Sequence, residues 1–162
     1  MPFNIALVEP EIPQNTGNIA RTCAATGTGL HLVKPLGFSI EDRYLKRAGL
    51  DYWSEVCLGC YESFDELRVK YGTSAFFYAS TKAGKCYTDV EYPDNCFLVF
   101  GKETAGLPEK LLEENRDWCV RIPMRPALRS LNLSNSAAVI LYEALRQHDF
   151  KDLQLTGKMR WE

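Results

Sequence analysis

Histidine is scarce in this 162-residue chain: there are two, His31 and His148, far apart in sequence. That scarcity leaves no Ser/His/Asp or Cys/His arrangement to support nucleophilic catalysis, and no histidine-based metal site. Also missing is any run near the roughly 18 consecutive apolar residues that a membrane-spanning helix needs. Met1 to Pro10 lacks the basic start and apolar stretch of a secretory signal, so the expected setting is cytoplasmic with no membrane partner. A strong charge of either sign is absent as well. Nineteen basic residues against twenty-one acidic give a net charge of -2, so any case for nucleic acid must come from local clusters. Such clusters are Arg43, Lys46 and Arg47; Lys82 and Lys85; Arg121, Arg125 and Arg129; and Lys158 and Arg160.

Six cysteines are present, but several fall inside apolar runs and nothing indicates an oxidising compartment, so they are read as reduced. Cys57-Leu-Gly-Cys60 has the spacing of a redox or zinc half-site, yet no second pair follows it, and no metal is expected.

With 46% hydrophobic residues the chain is an ordinary globular sequence. Short apolar runs at Phe3–Val8, Leu30–Val33, Ala75–Ala79, Cys96–Phe100 and Cys119–Ile122 read as buried strands, and segments between them suit helices. This alternation predicts an α/β fold with a mostly parallel sheet flanked by helices. Asn15 is expected to cap a helix through Ile19, Ala20, Cys23 and Ala24, stopped by Gly27 and Gly29. Glu41–Ala48 and Glu62–Tyr71 are further helix candidates, and Pro108 suits the first turn of a short helix through Leu111 and Leu112. The last helix is the clearest, because Leu133, Ala137, Ile140, Leu141, Ala144 and Leu145 recur at helical spacing. No repeat or linker divides residues 1–162, which are read as one domain.

Three segments carry more polar chemistry than their structural roles need. Asn15-Thr-Gly-Asn-Ile-Ala-Arg21 follows the opening strand, and Gly101-Lys-Glu103-Thr-Ala-Gly106 follows another. Ligands of open α/β sheets sit beyond the carboxyl ends of strands, which suits both segments. The second fits neither GxGxxG nor the Walker pattern, which argues against a nucleotide-dependent hydrolase. The third is Arg129-Ser-Leu-Asn-Leu-Ser-Asn-Ser136, where Ser130 or Asn132 suffices as a cap and the other polar side chains are surplus. Carboxylates such as Glu9 and Glu11 read as loop and surface features.

Taken in order, "EPEIPQNTGNIARTCAATG", "RAGLDYW", "FGKETAGLP" and "IPMRPALRSLNLSNSAAVILYEALRQ" resemble the SPOUT class of S-adenosylmethionine-dependent RNA methyltransferases. The likeness spans nearly the whole chain and is strongest to the branch that methylates the ribose 2′-hydroxyl of the wobble nucleotide. It implies a C-terminal trefoil knot that cradles S-adenosylmethionine, a homodimer, and a tRNA anticodon stem-loop as substrate. By the same resemblance, Tyr78, Ala79, Gly101, Ile122, Ser130 and Leu131 line the donor pocket. Arg21, Asn15, Glu103, Ser130 and Asn132 serve catalysis or site assembly, with Arg21 supplied by the other subunit. Arg43, Lys46, Arg47 and Arg125 are expected to hold RNA through its phosphates. Lys102 and Ala105 depart from residues common in relatives. A non-catalytic RNA-binding protein that keeps the fold is the alternative.

Overall fold

The computed structural model describes residues 3–41 and 55–159. Its frame is a seven-stranded sheet: β1 (Asn4–Val8), β2 (Gly29–Val33), β3 (Leu58–Tyr61), β4 (Phe76–Ala79), β5 (Lys85–Cys86), β6 (Phe97–Phe100) and β7 (Cys119–Arg121). The strand order is β3-β2-β1-β6-β4-β7-β5, and every ladder between named strands is parallel. Each run read as a strand became one. β3 and β5 went unread: β3 is a half-buried edge strand containing a glycine, and β5 has only two residues. Such short edges lack the continuous apolar signal of a strand covered on both faces.

Alternation along the strands sends side chains to opposite faces. Ile5, Leu7, Leu98, Phe100, Phe77 and Val120 enter one core cluster, together with Ile19, Ala20 and Cys23 of α1 (Pro13–Thr26) and Ala137, Ile140, Leu141, Ala144 and Leu145 of α4 (Leu133–Gln147). Ala6, Val8, Phe97, Val99, Tyr78 and Cys119 enter the other. There they meet Leu67 and Phe64 of α2 (Phe64–Lys70) and Leu111 and Leu112 of α3 (Glu109–Glu114). The expected apolar stripe of the last helix is therefore core, and α4 packs on both α1 and β6. Among the described residues no helix is long and apolar enough to cross a membrane.

α1 corrects one expectation. Asn15 is not its cap: the helix begins at Pro13 with Ile12 at the N-cap, no side chain caps it from that position, and Asn15 is buried in the first turn. Pro13 presets the helical φ at a position with no amide to satisfy. Gly27 ends the helix in the left-handed region, at φ 67°, as its sequence position suggests. The helix expected over Glu41–Ala48 lies almost wholly outside the described residues.

One buried polar cluster belongs to the sheet itself. His31 of β2 is 3% exposed, with Nε2 3.1 Å from Asn4 Oδ1 and Nδ1 3.1 Å from the Tyr61 hydroxyl. Asn4 Nδ2 donates to the Asn95 carbonyl, so Oδ1 faces the imidazole, Nε2 carries the proton and Nδ1 accepts from Tyr61. Gly29 and Gly59 make the space, since a Cβ there would stand 2.7 Å from Asn4 Oδ1 and 2.5 Å from the Tyr61 hydroxyl respectively. Burial, helped by the Lys70 charge, holds His31 down at about 4. Between the ordinary value near 6.5 and 4 the unfolded chain therefore binds the extra proton. Stability is complete above about pH 6.5 and is lost as pH falls. Urea unfolding at about pH 4.5 and pH 7 should show the wild type losing about 2–3 kcal/mol more than His31→Gln. Equal losses in the two proteins would show that His31 does not carry this dependence.

Candidate active site

A cavity of about 620 Å³ opens at the carboxyl ends of β4, β6 and β7. Sheet order reverses between β1 and β6, and the crevice beyond strand ends near such a switch is where open α/β sheets bind ligands. Three segments wall it: residues 79–82 after β4, residues 101–107 after β6, and residues 120–133 through β7 to the start of α4. The buried base is apolar, with Val120 and Ile140 each 1% exposed.

The Glu103 carboxylate joins these walls to α1. Its Oε2 accepts from the Glu11 amide at 2.8 Å, and its Oε1 accepts from the Ile12 amide at 3.1 Å and from Asn15 Nδ2 at 3.2 Å. It thus caps α1 from a distant loop, at the end where the helix dipole favours an anion. This replaces the local cap that the sequence led one to expect. Asn15 Oδ1 in turn accepts from Asn132 Nδ2 at 2.9 Å, and Asn132 Oδ1 caps α4 by accepting from the Ser134 and Asn135 amides at 2.9 and 3.2 Å. Glu103, Asn15 and Asn132 form one directed relay between the 101–106 loop and the starts of two helices.

Glu9 and Glu11 are part of this assembly, contrary to their reading as surface features. Glu11 accepts from the Thr104 amide at 3.1 Å and from its hydroxyl at 2.8 Å, returning the bond that Glu103 makes to the Glu11 amide. Lys102 Nζ lies 2.9 Å from Glu9 Oε2, and Glu9 itself is held at φ 53°. The only hint in sequence was position, with Glu11 just ahead of a helix whose own start carries no acidic cap.

Gly101 is required by close approach. A Cβ there would run into the backbone of Gly106 and Leu107, which return beside it, and the Gly106 amide closes the turn on the Lys102 carbonyl at 2.8 Å. Gly106 takes the left-handed φ of 69° that the turn demands.

Of the residues singled out in the sequence, the structure brings Asn15, Ala79, Gly101, Glu103, Ile122, Ser130, Leu131 and Asn132 to the lining of this cavity. The Tyr78 side chain does not join them: its ring is 1% exposed and belongs to the cluster on the opposite face of the sheet, because successive β4 side chains alternate. Arg21 is exposed and does not line the cavity of its own chain; six positions beyond Asn15, it sits about 120° around the helix. Arg125 is exposed and also outside the lining, while Arg43, Lys46 and Arg47 lie outside the described residues. Ser80, Thr81 and Lys82 line the cavity and were missed, since nothing in a short polar turn distinguishes it from a loop. The cysteine pair is not disulfide-linked. Cys60 lies in β3 and Cys57 just precedes it, so extended chain at about 3.3 Å per residue holds them too far apart for a disulfide.

Residues 2–142 match the SpoU rRNA Methylase family. The chain belongs to that family. Over 149 residues it is 51% identical to the tRNA (cytidine(34)-2'-O)-methyltransferase of Methylovorus glucosotrophus, covering 91% of this chain and 97% of that one. It also superimposes with a TM-score of 0.86 on a solved structure described in terms of the 2-OH methylation of C/U34 on tRNA, at 41% identity, covering 92% of this chain and 97% of that one. The SpoU methyltransferase AviRb from Streptomyces viridochromogenes, solved in complex with AdoMet, matches with a TM-score of 0.82 and 25% identity, over 91% of this chain and 60% of that one.

The relay makes the capping role of Asn132 testable in this SpoU-family protein. Asn132→Ala removes both cap bonds and should cost about 1–2 kcal/mol in urea unfolding. Asn132→Asp, which keeps an acceptor at the positive helix end, should recover the greater part. Equal losses from both variants would locate the cost elsewhere.

Proposed function

We propose that the protein transfers a methyl group from S-adenosylmethionine to the ribose 2′-hydroxyl of the wobble nucleotide in a tRNA anticodon loop. The observation that carries this reading is the cavity at the strand ends, tied by the Glu103–Asn15–Asn132 relay, in a chain so similar to a relative bearing that name.

The cavity suits the donor on two counts. Its volume of about 620 Å³ falls in the range of small-molecule sites, and it pairs an apolar base with convergent polar groups at the edge. Ala79, Leu107, Ile122 and Leu131 would hold the adenine, while Ser130 and the tight turn closed by Gly101 and Gly106 would hold polar parts of the molecule. When bound, the donor supplies an activated methyl group on a cationic sulfur. The protein's task is then chiefly to hold the ribose oxygen in line with that methyl, which is worth several orders of magnitude in rate.

No lining residue is poised as a strong base. Glu103 is committed to three donors, so we read Glu103, Asn15 and Asn132 as positioning residues that fix the loop against α1. A guanidinium such as that of Arg21 is a poor base. Its role is to bind the phosphate beside the target and orient the hydroxyl. Arg21 lies outside its own chain's cavity, so in this reading a homodimer brings it to the site of the second copy. A trefoil knot in the single domain stays part of the proposal, in keeping with segments 79–82, 101–107 and 120–133 meeting at one cavity, and a tRNA substrate is in keeping with a cytoplasmic setting. The RNA-binding roles of Arg43, Lys46, Arg47 and Arg125 stay part of the proposal.

Incubating total tRNA with labelled donor and mapping the modified nucleoside should place the label on a wobble ribose. Label on a base, or at another position, would refute the reading. Arg21→Lys should lose most turnover and keep its donor affinity, since a point charge does not reproduce a planar fork. Gly101→Ala should instead weaken donor binding by about tenfold or more, measured by calorimetry.

A further inference from the structure

Three cations line the cavity, one on each of its three walls. Lys82 follows β4 and Lys102 opens the 101–106 loop, while Arg129 comes from the chain between β7 and α4. Lys82 and Lys102 also line a second cavity of about 300 Å³, bounded by Val8, Glu9, Gly106 and Glu109, so the pair forms a lip shared by both spaces.

These charges are available to an anion. Lys82 Nζ lies 2.9 Å from Glu109 Oε1, with the two side chains 64% and 70% exposed. The Lys102–Glu9 pair is half-buried, at 36% and 34% exposure, so Lys102 reaches an anion from its solvent side while keeping Glu9; the exposed Lys82 pair is of the kind that contributes only about 0–1 kcal/mol. Arg129 is exposed, with no ion-pair or hydrogen-bond partner among the described residues. The one acid lining the large cavity, Glu103, is already satisfied by three N–H donors. Each lysine is thus shared with one carboxylate, Glu109 or Glu9, while Arg129 adds a cation with no carboxylate paired to it among the described residues.

An anion here has two possible sources, the carboxylate of the donor or the backbone of the RNA. A single carboxylate does not bridge cations on three walls, and none of the three belongs to the buried apolar base of Val120 and Ile140. We propose that Lys82, Lys102 and Arg129 grip the backbone phosphates flanking the target ribose, with the two lysines sharing one phosphate at the lip between the cavities. The inference rests on the methyl-transfer reading above and adds the residues that seat the substrate strand.

The probe is a synthetic anticodon stem-loop with cytidine at the wobble position, titrated by fluorescence anisotropy between about 50 and 200 mM salt. Lys82→Gln, Lys102→Gln and Arg129→Gln should each weaken binding and lower the slope of log K against log salt by about 0.7 per lost contact, the increment for single-stranded nucleic acid. Lys102→Arg should restore the slope. Glu109→Gln should tighten binding, because it removes the carboxylate that competes for Lys82; a purely structural ion pair predicts no gain. Donor affinity of Lys82→Gln, the cation farthest in sequence from the donor-holding turn and Ser130, should stay within about twofold. Unchanged slopes in all three glutamine variants overturn the proposal, and so does lost donor affinity with the slope retained, which would give these cations to the donor's carboxylate. Failure of the wild type to methylate tRNA at all sinks the wider reading instead, and that result is visible before any variant is made.

Discussion

One carboxylate organises this molecule's working end. Glu103 sits in a loop after β6, yet the donors it satisfies belong to the start of α1, about ninety residues earlier. A helix start left without partners is costly, and an anion placed there gains from the helix dipole as well. The loop and the helix consequently specify each other's position. Asn15 extends the constraint to Asn132, and Asn132 to the amides of α4, so the walls of the cavity are not free to drift independently. That is the preorganisation that a reaction dominated by alignment requires.

The sheet explains why the constraint falls where it does. β1 and β6 are neighbours in register, so the segments leaving their carboxyl ends emerge side by side. The first carries Glu9 and Glu11, the second Lys102, Glu103 and Thr104, and the two strands' exits are laced by an ion pair and reciprocal hydrogen bonds. The division of side chains between the two sheet faces does the rest: the face bearing α1 and α4 also forms the apolar base of the cavity, while Tyr78 turns the other way.

Much of this was legible in the chain. Buried parallel strands announce themselves as uninterrupted apolar runs, and α4 by its helical stripe, because those patterns follow directly from burial. The polar segments at 15–21, 101–106 and 129–136 stood out by having more hydrogen-bonding groups than their elements could use. Less visible was anything decided between segments remote in sequence. Which element caps α1, what Glu11 is bonded to, and which face Tyr78 takes all depend on register and topology, and a local pattern holds neither. The edge strands β3 and β5 were missed for a related reason, since pairing with a neighbour creates them and their own composition does not.

The place of β7 in the strand order has a temporal side. β7 lies between β4 and β5, although both of those precede it along the chain, with β6 intervening. During synthesis on the ribosome, the facing edges of β4 and β5 must wait, unpaired, for a strand not yet made. Exposed edges invite wrong partners, and contacts between distant segments form slowly. Nascent chains of this protein are therefore most exposed to misassociation in the interval before the last third of the polypeptide emerges, and that hazard belongs to the topology rather than to any single residue.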